Sequence, residues 1–123
     1  MTDADRELFA RAEAVAARAY APYSNFNVGA AARSRDGRVF EGVNVENAAY
    51  PLGICAERSA FARAVGEGLG PGDLEAIAIT ASPCGGCRQW IAEFRLERVV
   101  YRNATGELTV ATPAELLPDS FEL

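Results

Sequence analysis

All three cysteines of the chain lie in two short stretches, ICAERSA (54–60) and SPCGGCRQ (82–89). Cys84 and Cys87 form a Cys-x-x-Cys pair, and Cys55 is followed two places later by a carboxylate, Glu57. Thiolates are ligands that tetrahedral zinc prefers, and three of them leave its fourth position open. Water bound at such a position loses its proton at about pH 7, far more readily than bulk water. A carboxylate beside it is placed to carry protons. The chemistry suggested is a zinc centre on Cys55, Cys84 and Cys87, with Glu57 as its acid–base group.

Other chemistries use the same residues. A Cys-x-x-Cys also serves as a redox pair, which makes Cys55 and Glu57 incidental. A structural zinc takes four protein ligands, and only three sulfurs are on offer. Buried cysteines act as small hydrophobes, although PCGGC is too polar and glycine-rich to read that way. The chain has no histidine, which removes the Ser-His-Asp and Cys-His machineries and every imidazole ligand. Three thiolates on a divalent cation leave a net charge of −1, which weakens it as a Lewis acid. Helix N-termini at the cysteines would draw density off the sulfurs. So would Arg58, which follows Cys55 by three residues and shares its helix face. Arg88, directly after Cys87, is the alternative.

The elements that position these groups follow from periodicity. Leu8, Phe9, Ala12, Val15, Ala16 and Ala19 recur at helical spacing, capped by Thr2 or Asp3 and ended by Ala21-Pro22. Strands at 28–34 and 39–44 flank Asp36-Gly37, a hairpin signal. A loop over 45–54 leads to a helix over 55–67. LEAIAIT (74–80) reads as a buried strand, and 83–94 as a helix with Pro83 in its first turn. Strands at 99–102 and 108–111 and a short helix starting at Thr112 complete the chain. The order α-β-β-α-β-α-β-β-α favours an α/β three-layer sandwich around one mixed five-stranded sheet, as a single catalytic domain over 1–123.

Composition agrees with a small-molecule enzyme. The 123 residues suit one domain with a respectable core, and half of them are hydrophobic. A net charge of −5 is the wrong sign for binding phosphate backbones, so no nucleic-acid partner is expected. No apolar run approaches the roughly 20 residues that cross a bilayer, so no membrane association is expected. The N-terminus is acidic and then amphipathic, unlike a signal peptide, and the expected location is cytoplasmic.

CAE followed downstream by PCGGC resembles the signature of zinc-dependent cytidine deaminases in its three-cysteine form. PYSNFNVGAA (22–31), GVNVENAAY (42–50) and ELLPDSF (115–121) extend the resemblance to the small homotetrameric members, in the same order along most of the chain. The resemblance implies one zinc per subunit and hydrolytic deamination of cytidine and 2′-deoxycytidine, with Glu57 shuttling protons. It implies that Asn44 and Glu46 bind the ribose hydroxyls and that Phe26 stacks on the pyrimidine. It further implies that the Ala56 backbone meets the base, that Tyr50 lines the sugar side or a neighbouring subunit, and that Phe121 closes a neighbour's pocket in a homotetramer. A free base or a blasticidin S-type nucleoside is the runner-up substrate. Only Ala81 and Ser82 separate the strand from PCGGC, fewer residues than many members have. Trp90 stands where smaller apolar residues are common, and the sequence assigns it no role.

Overall fold

The computed structural model describes residues 1–123. Helix α1 (Asp3–Ala16) starts at Thr2, whose hydroxyl accepts from the Asp5 amide while the Asp5 carboxylate accepts from the Thr2 amide. This capping box satisfies two donors that a helix start otherwise leaves free. The helix ends several residues before Pro22, earlier than its periodicity predicts. Asn27 supplies the reason, because its side-chain amide donates to the Ala16 carbonyl and takes over the helix end.

Strands β1 (Gly29–Ser34) and β2 (Val39–Val43) form the hairpin, with Gly37 at φ 91° in its turn. The predicted loop that follows carries a single 3-10 turn, Tyr50–Leu52. Val45 bridges both Tyr20 and Ile54, which ties that loop back to the end of the first helical segment. Helix α2 (Ala56–Gly66) begins with Cys55 as its N-cap, and β3 (Leu74–Ile79) follows. Helix α3 (Gly85–Glu93) begins one residue after Cys84. Pro83 therefore stands before the cap rather than in the first turn, because the Cys84 sulfur itself accepts the Cys87 amide. Strands β4 (Arg98–Arg102) and β5 (Leu108–Ala111) and helix α4 (Pro113–Leu116), with a Thr112–Glu115 capping box, close the chain.

The sheet runs β2-β1-β3-β4-β5. Only β3 and β4 are parallel, so the sheet is mixed. Alternation along each strand sends side chains to two faces. Ala31, Ala76, Ala78 and Val100 meet Leu8, Phe9 and Ala12 of α1 on one face. Ala30, Ala32, Ile77, Ile79 and Val99 meet Ala60, Phe61, Ala64 and Ile91 of α2 and α3 on the other. Burial on both faces explains why Ala76 to Ile79 of β3 form a continuous apolar run. The result is the expected three layers, with α2 and α3 side by side on one of them.

Trp90 finds its place in that second layer. Its ring lies parallel to Phe94, at 6.1 Å and 1°, and stacks on Phe61 at 6.2 Å. Phe61 also stacks on Phe94 at 4.9 Å, so the aromatic group couples α2 to α3. These are the two helices that carry the cysteines.

Candidate zinc centre and substrate cleft

Cys55 and Cys84 are the N-caps of α2 and α3, and Cys87 sits in the first turn of α3. Two helix starts therefore converge on one point, each with free amides and partial positive charge. The three Sγ atoms all lie within 4.8 Å of one another, and Cys55 Sγ is 3.8 Å from Cys84 Sγ. Tetrahedral ligation with Zn–S bonds of about 2.3 Å sets sulfurs roughly 3.8 Å apart, so the sulfur cluster fits zinc. All three cysteines are free thiols. Cys87 is fully buried, Cys55 half-buried and Cys84 exposed, which leaves one side of the cluster open.

Arg58, in the first turn of α2, donates from Nη2 to Cys55 Sγ at 3.3 Å. Cys55 is pushed down to about 5 by the hydrogen bond from Cys87, with Arg58 and Cys84 adding to it against the effect of burial. Cys87 is pushed up by its bond to Cys55 and by burial. The Arg58 guanidinium is held charged by the Cys55 sulfur. Its Nε is buried without a partner. Arg88 is committed elsewhere: it donates to the carbonyls of Pro83 and Leu116 and to the Ser82 hydroxyl, tying α3 to α4.

Glu57 is 3% exposed. Its affinity for a proton is raised, first by burial and then by the charge on Cys55. The field of the thiolates is thus the smaller of the two causes. A carboxyl held in this way stays protonated at higher pH than a solvated one, which suits a group that must both take and give a proton.

The centre opens into a cleft of about 720 Å³. That size suits a small organic ligand. Phe26, Asn44, Glu46, Tyr50, Ala56 and Glu57 all line it, together with Cys55 and Cys84. Sequence alone favours a packed Phe26, yet its ring is 60% exposed and faces the cleft. Asn44 and Glu46 lie just past the end of β2 and share the cleft wall. The Asn44 amide donates to the Phe26 carbonyl at 2.9 Å, and its oxygen accepts from the Val28 amide at 2.8 Å. Glu46 accepts from the amides of Tyr23 and Ser24 and, at 2.5 Å, from the Ser24 hydroxyl. These bonds, the hydroxyl's first, lower its proton affinity and keep it a carboxylate.

Both residues therefore fasten the 23–28 loop that presents Phe26. Ser24 is the part of this arrangement that sequence reasoning missed. Its only local signal is the Pro22-Tyr23-Ser24-Asn25 turn, in which Asn25 takes a φ of 58°. Ala81 and Ser82, the short connection before PCGGC, complete the cleft wall. Phe121 lies apart, against Gln89, Ala92 and Glu93 of α3, and is 69% exposed. It does not reach the cleft of its own chain.

Residues 2–103 match the family described as cytidine and deoxycytidylate deaminase zinc-binding region. A cytidine deaminase from Sporosarcina psychrophila is 42% identical over 123 residues, covering 94% of this chain and 89% of that protein. The crystal structure of cytidine deaminase from Burkholderia pseudomallei superposes with a TM-score of 0.88 at 45% identity, covering 98% of this chain and all of the other. That from Mycobacterium tuberculosis gives 0.84 at 37% identity, covering both chains completely. With a family match over residues 2–103, relatives more than 40% identical along nearly the whole chain and the same fold as these structures, the chain belongs to the zinc-binding cytidine and deoxycytidylate deaminase family.

Proposed function

We propose that the protein deaminates cytidine and 2′-deoxycytidine by hydrolysis, giving uridine or 2′-deoxyuridine and ammonia, with residues 1–123 acting as one catalytic unit. The observation that carries this reading is the meeting of three thiols and one buried carboxylate at a cleft of nucleoside size. Cys55, Cys84 and Cys87 would hold the zinc, which would supply an activated water at the cleft. Glu57 takes the proton that this water gives up and passes it to ring N3. The water's oxygen bonds to C4; Glu57 then takes the remaining proton from that oxygen and delivers it to the amine as the C4=O bond forms and the C4–N bond breaks. The balance is one water consumed and one ammonia released.

Phe26 stacks on the pyrimidine, and the Ala56 backbone, in the first turn of α2, meets its polar edge. Asn44 and Glu46 bind the ribose hydroxyls. Asn44 retains a second N–H and a second lone pair beyond its bonds to the loop, and Glu46 retains lone pairs, so both still have capacity for a sugar. Among the residues lining the cleft, Arg58 is the only cation, and its Nη2 is engaged by Cys55. A 5′-phosphate would find no free positive charge on this lining, which supports a nucleoside over deoxycytidylate. Tyr50 at the rim, 91% exposed, and Phe121 on the far side of α3 fit a homotetramer whose chains complete one another's pockets. Free nucleosides, the net charge of −5 and the absence of a helix able to cross a membrane fit work in the cytoplasm.

Ammonia release, measured with bound zinc per chain, tests the reading across cytidine, 2′-deoxycytidine, deoxycytidylate, cytosine, blasticidin S and a cytosine oligonucleotide. The first two are expected to react and the others to lag far behind. One zinc per chain with no ammonia from any of them would mark a structural metal. Little zinc and no ammonia would mark a redox pair.

A further inference from the structure

We propose that Gly42 is a positioning residue for the zinc centre: the absence of a side chain there sets how closely the first turn of α2 approaches the sheet, and so where Cys55 and Glu57 stand relative to α3. A Cβ built on Gly42 would lie 2.4 Å from the Ala60 nitrogen and 2.5 Å from the Ala56 oxygen. Those two atoms are an i to i+4 pair, next along α2 from the Ser59–Cys55 pair that closes its first turn. Gly42 pairs with Ala30 in the β1–β2 ladder, which holds this edge strand to the rest of the sheet. The far end of the helix is tied to the same strand, because Arg63 donates to the Glu41 carbonyl at 3.4 Å. A side chain at Gly42 therefore tilts the N-terminal end of α2 outward.

That end carries the chemistry. Restoring a contact of roughly 3.5 Å from 2.4 Å requires roughly 1 Å of displacement. Zinc–ligand distances tolerate about 0.2 Å. Cys84 and Cys87 belong to the start of α3, which Arg88 holds to Pro83, Ser82 and α4, while the aromatic contact with α2 lies further along. The shift therefore opens the sulfur triangle on the Cys55 side and moves Glu57 with it. A misplacement of about 1 Å is the scale at which rates fall roughly 100-fold.

The fold supplies its own control. Gly29 on β1 is packed even more tightly, with a Cβ falling 2.0 Å from the Ala12 oxygen and 2.9 Å from the Ala16 nitrogen. The helix above Gly29 is α1, which carries no residue of the centre. Gly29→Ala and Gly42→Ala thus impose the same insult on opposite faces of the sheet, and only one of them lies under the site.

The test compares both variants with wild type as folded holoprotein, by zinc retention against a competing chelator and by the thiolate-to-cobalt absorption of the cobalt-substituted protein. Steady-state kinetics with cytidine form a third readout. Gly42→Ala is expected to lose zinc at least about 10-fold more readily, to shift and weaken the cobalt bands, and to lose about 100-fold in kcat with a smaller change in KM. Gly29→Ala is expected to melt at a lower temperature with metal retention, bands and kcat near wild type. The kinetic readout rests on the proposed deaminase reading, whereas the metal readouts do not, so the two ideas fail separately. Should Gly42→Ala not fold, Ala60→Ser, which adds one atom to the same fully buried interface, is expected to show the same losses in milder form. Metal retention and cobalt bands at wild-type values in Gly42→Ala, or in Ala60→Ser if that variant stands in, would overturn the proposal. Equal losses in Gly29→Ala would do the same.

Discussion

The Arg58 guanidinium donates to Cys55 Sγ at 3.3 Å, from the first turn of the helix that Cys55 itself caps. Cys55 thus receives positive charge from two sources, a side chain and a helix start, while Cys84 and Cys87 share the start of α3. A three-thiolate site carries more negative charge than a divalent cation can balance, and this arrangement offsets part of it.

Arg58→Gln should fold, since the Arg58 Nε has no partner to lose. Its zinc should be lost to chelator about 10-fold more readily, in the range seen when a group bonded to a metal ligand is removed. Arg58→Lys, which keeps charge but not the planar fork, should fall between. Equal zinc retention in all three proteins would clear Arg58 of any part in holding the sulfurs.

The buried carboxylate of Asp5 makes a second prediction, this one for stability. Asp5 accepts from Arg98 Nη2 at 2.5 Å and from Nε at 3.1 Å, which ties α1 to β4. The Arg98 bond, against burial, holds Asp5 at about 2, below its usual 3.8. The folded state therefore binds this proton more weakly than the unfolded state. The stabilisation is complete above about pH 4 and is lost as pH falls through about 2. Asp5→Asn should cost about 1–2 kcal/mol at pH 7, reduced from the full shift because Arg98 is half-exposed. Urea midpoints of the two proteins should converge as pH approaches 2. A gap that stays constant with pH would contradict the ion-pair account.

Trp90 is the only tryptophan, so its fluorescence reports on the α2–α3 contact. Trp90→Ala removes the outer ring of the stack on Phe61 and Phe94 and should destabilise by about 2 kcal/mol, less than a fully buried ring because Trp90 is 38% exposed. Its kcat should stay within a few-fold of wild type, since the helix starts are held by the caps. A stability equal to wild type in thermal unfolding would show that the stack contributes nothing.

The exposed aromatic and aliphatic side chains at the rim and tail make a prediction about assembly. Tyr50, Leu52 and Phe121 are all more than half exposed in the single chain. Sedimentation should give a particle of four chains of 13.1 kDa, and Phe121→Ala should raise KM for cytidine more than it lowers kcat. A fully active monomer would rule out pockets shared between chains.

The parts of this structure that could be read from sequence are those fixed by local chemistry. Asp36-Gly37 marks its hairpin because φ > 0 is needed there, and LEAIAI marks a strand buried on both faces. The cysteine spacing marks the centre because only helix starts bring Cys55 and Cys84 to their caps with Glu57 and Cys87 just inside. What was not legible depends on distant partners. The end of α1 is set by Asn27, and the N-cap of α3 by a sulfur that sequence reasoning treats as a ligand. The bonds of Glu46 to Ser24 join residues 22 apart. The proton affinity of Glu57 is raised chiefly by burial, which emerges only when β2, α2 and α3 are packed together. The place of Trp90 depends on the rings of Phe61 and Phe94, which lie 29 and 4 residues from it in sequence.

The central claim is that Glu57 moves protons beside a zinc held by three sulfurs without itself holding the metal. Glu57→Gln tests it most directly, with zinc per chain and ammonia release from cytidine measured on the same preparation. The account predicts one zinc per chain, as in wild type, and turnover lower by about 100-fold to 10,000-fold. Turnover near the wild-type rate would contradict the proton-carrying role, and loss of the zinc would contradict the separation of carboxylate from metal.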